Sequence, residues 1–117
     1  MAVISGQIIG QAKQWRRDFH RRPEPGLHEH GTAKIISELL VSFGLEVHTG
    51  IAETGVIATL RHGEGPSIGL RADIDALPIH ELNDFAHQSQ NPGLMHACGH
   101  DGHTSILLGA AKYLSEN

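Results

Sequence analysis

At Gly44 the hydrophobic period of this chain changes, and that change narrows what the chain can fold into. Before it, apolar residues recur at three- and four-residue steps. Ile8, Ala12, Trp15 and Phe19 form one series, with Lys13, Arg16, Arg17 and Asp18 on the other sides. Ile35, Ile36, Leu39, Leu40 and Phe43 form a second. Both read as amphipathic helices that bury one stripe. Pro23-Glu24-Pro25-Gly26 stops the first helix and makes a rigid loop. Thr32 is placed to cap the second, and Gly44 stands where a C-terminal left-handed residue belongs. The basic run Arg16, Arg17, Arg21 and Arg22 reads as a solvated helix face.

Beyond Gly44 the period shortens. Leu45 and Val47 alternate with polar neighbours, and Gly55-Val-Ile-Ala-Thr-Leu60 is short and β-branched. Gly63-Glu64-Gly65-Pro66 reads as a turn, after which Ser67-Ile-Gly-Leu-Arg71 returns as a more apolar strand. Ile106, Leu107, Ala110, Tyr113 and Leu114 then restore the helical step. The expectation is an α/β fold with three helices packed on a sheet, with strands near 45–49, 55–62 and 67–72. Glycines 63, 65 and 69 match neither a dinucleotide nor a P-loop fingerprint, and no helix opens after them. Residues 80–97 have no clear period and carry turn signals at Asn83-Asp84 and Asn91-Pro92-Gly93. Long connections of this kind in compact domains are often functional.

Composition excludes several function classes. At 117 residues the chain is one ordinary domain at most, and 39% hydrophobic with 19% charged residues is globular. A net charge of −4 gives no reason to expect nucleic acid or an anionic membrane as partner. The N-terminus lacks a basic segment followed by an apolar run, and no stretch approaches membrane-spanning length. The cytoplasm is the expected location. One cysteine excludes an internal disulfide and fits a reducing compartment.

The chemistry concentrates in Met95-His96-Ala97-Cys98-Gly99-His100-Asp101-Gly102-His103-Thr104, directly before the last helical pattern. A loop entering a helix N-terminus offers free N–H groups and a positive dipole end, which favour a thiolate. Cys98 and His100, with small Gly99 between them, can turn toward a common centre. Soft sulfur and borderline nitrogen suit Zn²⁺ and its first-row neighbours better than Ca²⁺ or Mg²⁺. The bland alternative is a small buried cysteine among loop histidines, since the spacing is not a standard zinc pattern. Two ligands also fall short of the three or four a stable site needs. Upstream, Arg71-Ala-Asp73-Ile-Asp75 places two carboxylates beyond a strand, where sites gather in open α/β sheets. Carboxylates so close must be hydrogen-bonded, paired or near a cation, unless they are a solvated acidic loop. Arg71 is available to neutralise one of them.

Arg16-Arg17-Asp18-Phe19-His20 with Pro23-Glu24, Gly69-Leu-Arg-Ala-Asp-Ile-Asp-Ala-Leu-Pro78, and the Met95–Thr104 stretch together resemble the M20 metallopeptidase family. The similarity is to its amidohydrolase branch, which includes hippurate hydrolase, N-acyl-amino-acid amidohydrolases and auxin-conjugate hydrolases. It runs in collinear order along nearly the whole chain. It implies a three-layer zinc-peptidase-like catalytic domain, helices on a mixed sheet, with residues 1–117 as its N-terminal portion. It also implies two divalent metal ions (Zn, Mn, Co or Ni), with Cys98 bridging or approaching both and His100 a further ligand. Asp73 and Asp75 fall where the wider family has a His-x-Asp motif, and take orienting roles at the catalytic site.

Members of that family are considerably longer than this chain. They add a Glu general base, an adjacent Glu ligand, two more His ligands and an inserted lid or dimerisation domain, through which a homodimer or homo-oligomer is left open. The implied reaction hydrolyses the amide of a small N-acyl amino acid by a metal-activated water and a carboxylate base. Without the base, the chain alone is expected to be inactive. A non-catalytic metal-binding or structural module of the same fold is the alternative. A thiol redox protein built on Cys98 is a third, and it lacks a resolving cysteine.

Overall fold

The structure is a computed structural model that describes residues 3–117. It contains α1 (Gly6–Arg21), α2 (His30–Ser42), β1 (Glu46–Ile51), β2 (Gly55–Thr59) and α3 (His100–Glu116). The Ser5 hydroxyl caps α1 by accepting the Ile8 N–H at 3.3 Å. The apolar stripe of α1 buries Ile8 and Phe19 and packs along α3. Phe19, Ile36, Leu40 and Leu108 form the centre of the core, so all three helices meet there.

Helix α2 begins two residues before the expected cap. Thr32 lies inside the first turn, and the carboxylate of Glu24 takes the capping role from a distance. It accepts the N–H groups of Gly31 at 3.0 Å and Thr32 at 2.5 Å, and the Thr32 hydroxyl as well. A full negative charge at this end also complements the helix dipole, which a threonine hydroxyl would not do. The other end is as expected. Gly44 has φ +89°, and the N–H groups of Gly44 and Leu45 return to the carbonyls of Val41 and Leu40 at 2.9 and 3.1 Å. That pairing closes the helix and needs the left-handed conformation glycine adopts freely.

β1 and β2 form an antiparallel hairpin, with Val47 opposite Ala58 and an irregularity between His48 and Ile51. Its turn holds Ala52 and Glu53 at φ +47° and +78°. Two successive positive φ values match the right-handed twist of the flanking strands. The partly buried side chains of Val47, Val56 and Ala58 pack against the core from the sheet side, over α2.

The α/β fold class holds, but the sheet is smaller than expected. Among the described residues it has two strands, both antiparallel, and β2 ends at Thr59. Residues 67–72, expected as a third strand, run without a ladder partner, with Ile68 87% and Leu70 60% exposed. β-branched composition makes a segment suitable for a sheet, but a strand forms only beside a hydrogen-bonding neighbour.

Two short bridges position the functional loop. Ala76 pairs with Pro25, its N–H donating to the Glu24 carbonyl at 2.8 Å. Leu77 and Met95 exchange both backbone hydrogen bonds, at 2.9 and 3.0 Å. The second bridge closes the long connection into a loop and brings the Met95–Thr104 stretch beside Asp73 and Asp75. No helix among the described residues is long and apolar enough to cross a membrane.

Candidate metal centre

Gly99 makes the site's backbone possible. It is the N-cap of α3 at φ +83°, a left-handed residue between Cys98 and His100. An ideal Cβ there would meet nothing within 4 Å, so conformation rather than space calls for glycine. Cys98 is left exposed with a free thiol. His100 opens the helix and turns back toward the acidic segment.

The His100 Nδ1 lies 2.9 Å from the Asp75 carbonyl and 3.0 Å from its carboxylate Oδ1. Both partners are acceptors, so Nδ1 carries a proton and Nε2 is the nitrogen left to face a metal. That is the arrangement in which a metal-binding histidine is held by a carboxylate behind it. Asp73 stands near the other nitrogen, its Oδ2 4.0 Å from His100 Nε2. Arg71 pairs with the second oxygen of Asp73 at 2.5 Å, which relieves the repulsion between the two acids. The Thr104 hydroxyl donates to the Asp73 carbonyl at 3.1 Å and ties this segment to α3.

The structure therefore brings Asp73, Asp75 and His100 together, with Cys98 two residues away on the same turn. Among the described residues no group of three or more His, Cys, Asp and Glu side chains gathers as a complete metal cage. The donor set present fits part of one: an exposed thiol and an imidazole with Nε2 left to face a metal. His96 adds a further unused donor. It is 5% exposed and neither ring nitrogen has a hydrogen-bond partner. Burial holds it below the usual imidazole range, partly opposed by the Asp101 carboxylate. Two open clefts of about 380 Å³ lie by Phe43 and Ser115, at the far end of α3, and touch none of these residues.

Residues 69–117 match the family described as Peptidase family M20/M25/M40. Hippurate hydrolase from Campylobacter jejuni is 47% identical over 109 residues, 92% of this chain and 28% of that protein. The likeness is to peptidase family M20. An N-acyl-L-amino acid amidohydrolase from Geobacillus stearothermophilus is 49% identical over 104 residues, 87% of this chain and 28% of its own length. Among solved structures, the Bacillus subtilis YxeP protein superposes with a TM-score of 0.87 at 39% identity, covering 94% of this chain and 31% of that one. It is described as a dinuclear metal binding peptidase from the M20 family. The chain thus spans roughly a quarter to a third of the length of the relatives it matches.

Sequence reasoning missed the polar group packed beneath the M20 motif. His20, Glu81 and Asp101 are buried, and Arg16 reaches the last of these. Arg16 is therefore more than part of a solvated basic face, although its side chain is still 41% exposed. Burial alone would raise the Glu81 carboxyl. Hydrogen bonds from His20, Asn83 and Ser89, with the charge of His20, outweigh it and hold that group at about 2. The available signal was the four-residue step from Arg16 to His20, which puts both on one side of α1.

Proposed function

We propose that this chain is the N-terminal portion of a metal-dependent amidohydrolase catalytic domain that cleaves N-acyl amino acids, hippurate-like substrates among them. One observation carries the reading: His100 is committed through Nδ1 to Asp75, leaving Nε2 for a metal, two residues from an exposed thiol. The names of the relatives from C. jejuni and G. stearothermophilus supply the substrate class, and the YxeP description supports two metals.

In this reading Cys98 and His100 are ligands, and sulfur with imidazole selects a first-row ion over Ca²⁺ or Mg²⁺. Two such ions, when bound, lower the pKa of a water and polarise the amide carbonyl. Asp75 orients His100 and raises its basicity, while Asp73 offers carboxylate oxygen on the Nε2 side. The general base and the remaining ligands come from a longer polypeptide. The substrate is a small molecule, and the enzyme works in the cytoplasm.

The test is hydrolysis of benzoylglycine by the full reading frame that encodes this chain, loaded with Zn²⁺ or Mn²⁺. Turnover that Cys98→Ser abolishes together with metal content is the expected result. A metal-loaded, folded protein whose hydrolysis is unchanged by Cys98→Ser would refute it. Residues 1–117 alone are expected to show no turnover.

A further inference from the structure

Three side chains remote in sequence meet beneath the loop that carries Cys98 and His100. None belongs to the proposed ligand set. His20, the penultimate residue of α1, is 3% exposed. Its Nδ1 lies 2.8 Å from Asp101 Oδ2 and its Nε2 lies 2.9 Å from Glu81 Oε2. Asp101 is 2% exposed and Glu81 8%. The stacked rings of Phe85 and His87 lie against the His20 ring, at 5.8 and 5.7 Å between centroids.

Hydrogen-bond accounting places the protons. Asp101 Oδ1 accepts the Gly102 N–H at 2.9 Å, and its Oδ2 also faces Arg16 Nε at 3.1 Å. Glu81 Oε1 accepts the Ser89 N–H at 2.5 Å, and its Oε2 accepts Asn83 Nδ2 at 2.9 Å. Glu81 thus accepts at both oxygens, and Asp101 accepts at Oδ1 while its Oδ2 pairs with a guanidinium. An N–H on each ring nitrogen of His20 completes both contacts. The resulting imidazolium and the Arg16 guanidinium balance two carboxylates. The cluster is neutral as a whole, which is the condition under which buried charges persist.

Its position gives the cluster a purpose. Glu81 stands near the start of the long connection, and Asp101 follows His100 in the first turn of α3. One ring therefore grips the loop where it enters and where it leaves. The end of α1 adds further ties, since the Gln90 N–H donates to the Arg21 carbonyl and Asn91 Nδ2 to the Pro23 carbonyl, both at 2.8 Å.

We propose that His20, protonated on both ring nitrogens, is a positioning residue that joins Glu81 to Asp101 and fixes the loop presenting Cys98 and His100. The clamp itself stands on this geometry, and its benefit to metal binding rests on the proposed function. A residue that merely filled space here would not need two N–H donors or couple two distant carboxylates.

The experiment uses the chain with and without Cd²⁺, as wild type and as His20→Gln, which keeps a donor group at one end and puts an acceptor oxygen at the other. In the metal-free wild type, nitrogen NMR should show both His20 ring nitrogens protonated. In His20→Gln, amide exchange should accelerate together at Ser89 and Gly102, the donors to Glu81 and Asp101, while the β1–β2 ladder is unchanged. Cd²⁺ affinity, read from thiolate-to-metal absorption, should fall about 10–100-fold, the usual effect of removing outer-shell support. A single protonated ring nitrogen overturns the proposal, as does wild-type exchange at both amides in the folded variant. If His20→Gln does not fold, the ring nitrogens of the wild type decide. If the wild type shows no Cd²⁺–thiolate absorption, the metal-centre reading fails, while the ring and exchange results still decide the clamp.

Discussion

His100 and Asp75 are joined twice, the imidazole Nδ1 facing the Asp75 carbonyl at 2.9 Å and its carboxylate at 3.0 Å. The pairing holds the ring by Nδ1 and leaves Nε2 on the side of Asp73, 4.0 Å from its carboxylate. Asp75→Ala keeps the carbonyl contact and loses the carboxylate, so metal affinity should fall by about tenfold, the low end of the range for such supports. Competition titration with a chromogenic chelator measures it. Equal affinities would leave Asp75 with no orienting part.

Gly99 offers a test of backbone conformation. Gly99→Ala forces an L-residue to φ +83° in open space, at a cost of about 1–2 kcal/mol. Gly102, two residues further on, has equally open surroundings but sits in the helix at ordinary φ. Gly102→Ala should be neutral or stabilising by up to about 1 kcal/mol. Urea unfolding of the two variants checks the contrast, and equal effects would show that the turn does not depend on the left-handed residue.

The core makes a blunter prediction. Phe19 is 2% exposed and touches the parts of the core contributed by α2 and α3. Phe19→Ala should cost about 3–5 kcal/mol through lost burial and the cavity left behind. Against a total stability of roughly 5–15 kcal/mol for a domain, that is a large fraction. A shift of the urea midpoint no larger than that of a surface variant would contradict the assignment of Phe19 to the core.

The Glu81 carboxyl, at about 2 in place of 4.5, gives a pH dependence. Between those values the unfolded chain binds a proton that the folded chain does not, so unfolding is favoured as pH drops. The contribution of Glu81 is complete above about pH 4.5 and disappears as pH falls toward 2. Urea midpoints across that window should decline, and more steeply in the wild type than in Glu81→Gln. Parallel slopes would place the titrating groups elsewhere.

What could be read from the sequence was local. The helical periods around Trp15 and Leu39, the Gly44 helix end and the two hairpin strands all arise within a few residues. The segment 67–72 fails for the opposite reason: its composition suits a strand, but pairing depends on a neighbour that composition cannot supply. The cap of α2 shows the same limit, because a carboxylate eight residues before Thr32 displaces the local one. In the site, Asp73, Asp75, Cys98 and His100 were visible as motifs, since two short segments hold them. The His20 cluster was not, because its hydrogen bonds span 61 and 81 residues and leave no periodic trace.

If Cys98 and His100 begin a metal centre, loading with a first-row ion must form a thiolate–metal bond. Cobalt titration of the chain, followed by thiolate-to-metal charge-transfer absorption, tests it most directly. With two protein ligands and water in the remaining positions, binding should be weak, yet the absorption should appear in the wild type and vanish in Cys98→Ser. No such absorption in the wild type, or an equal signal in Cys98→Ser, would contradict the account.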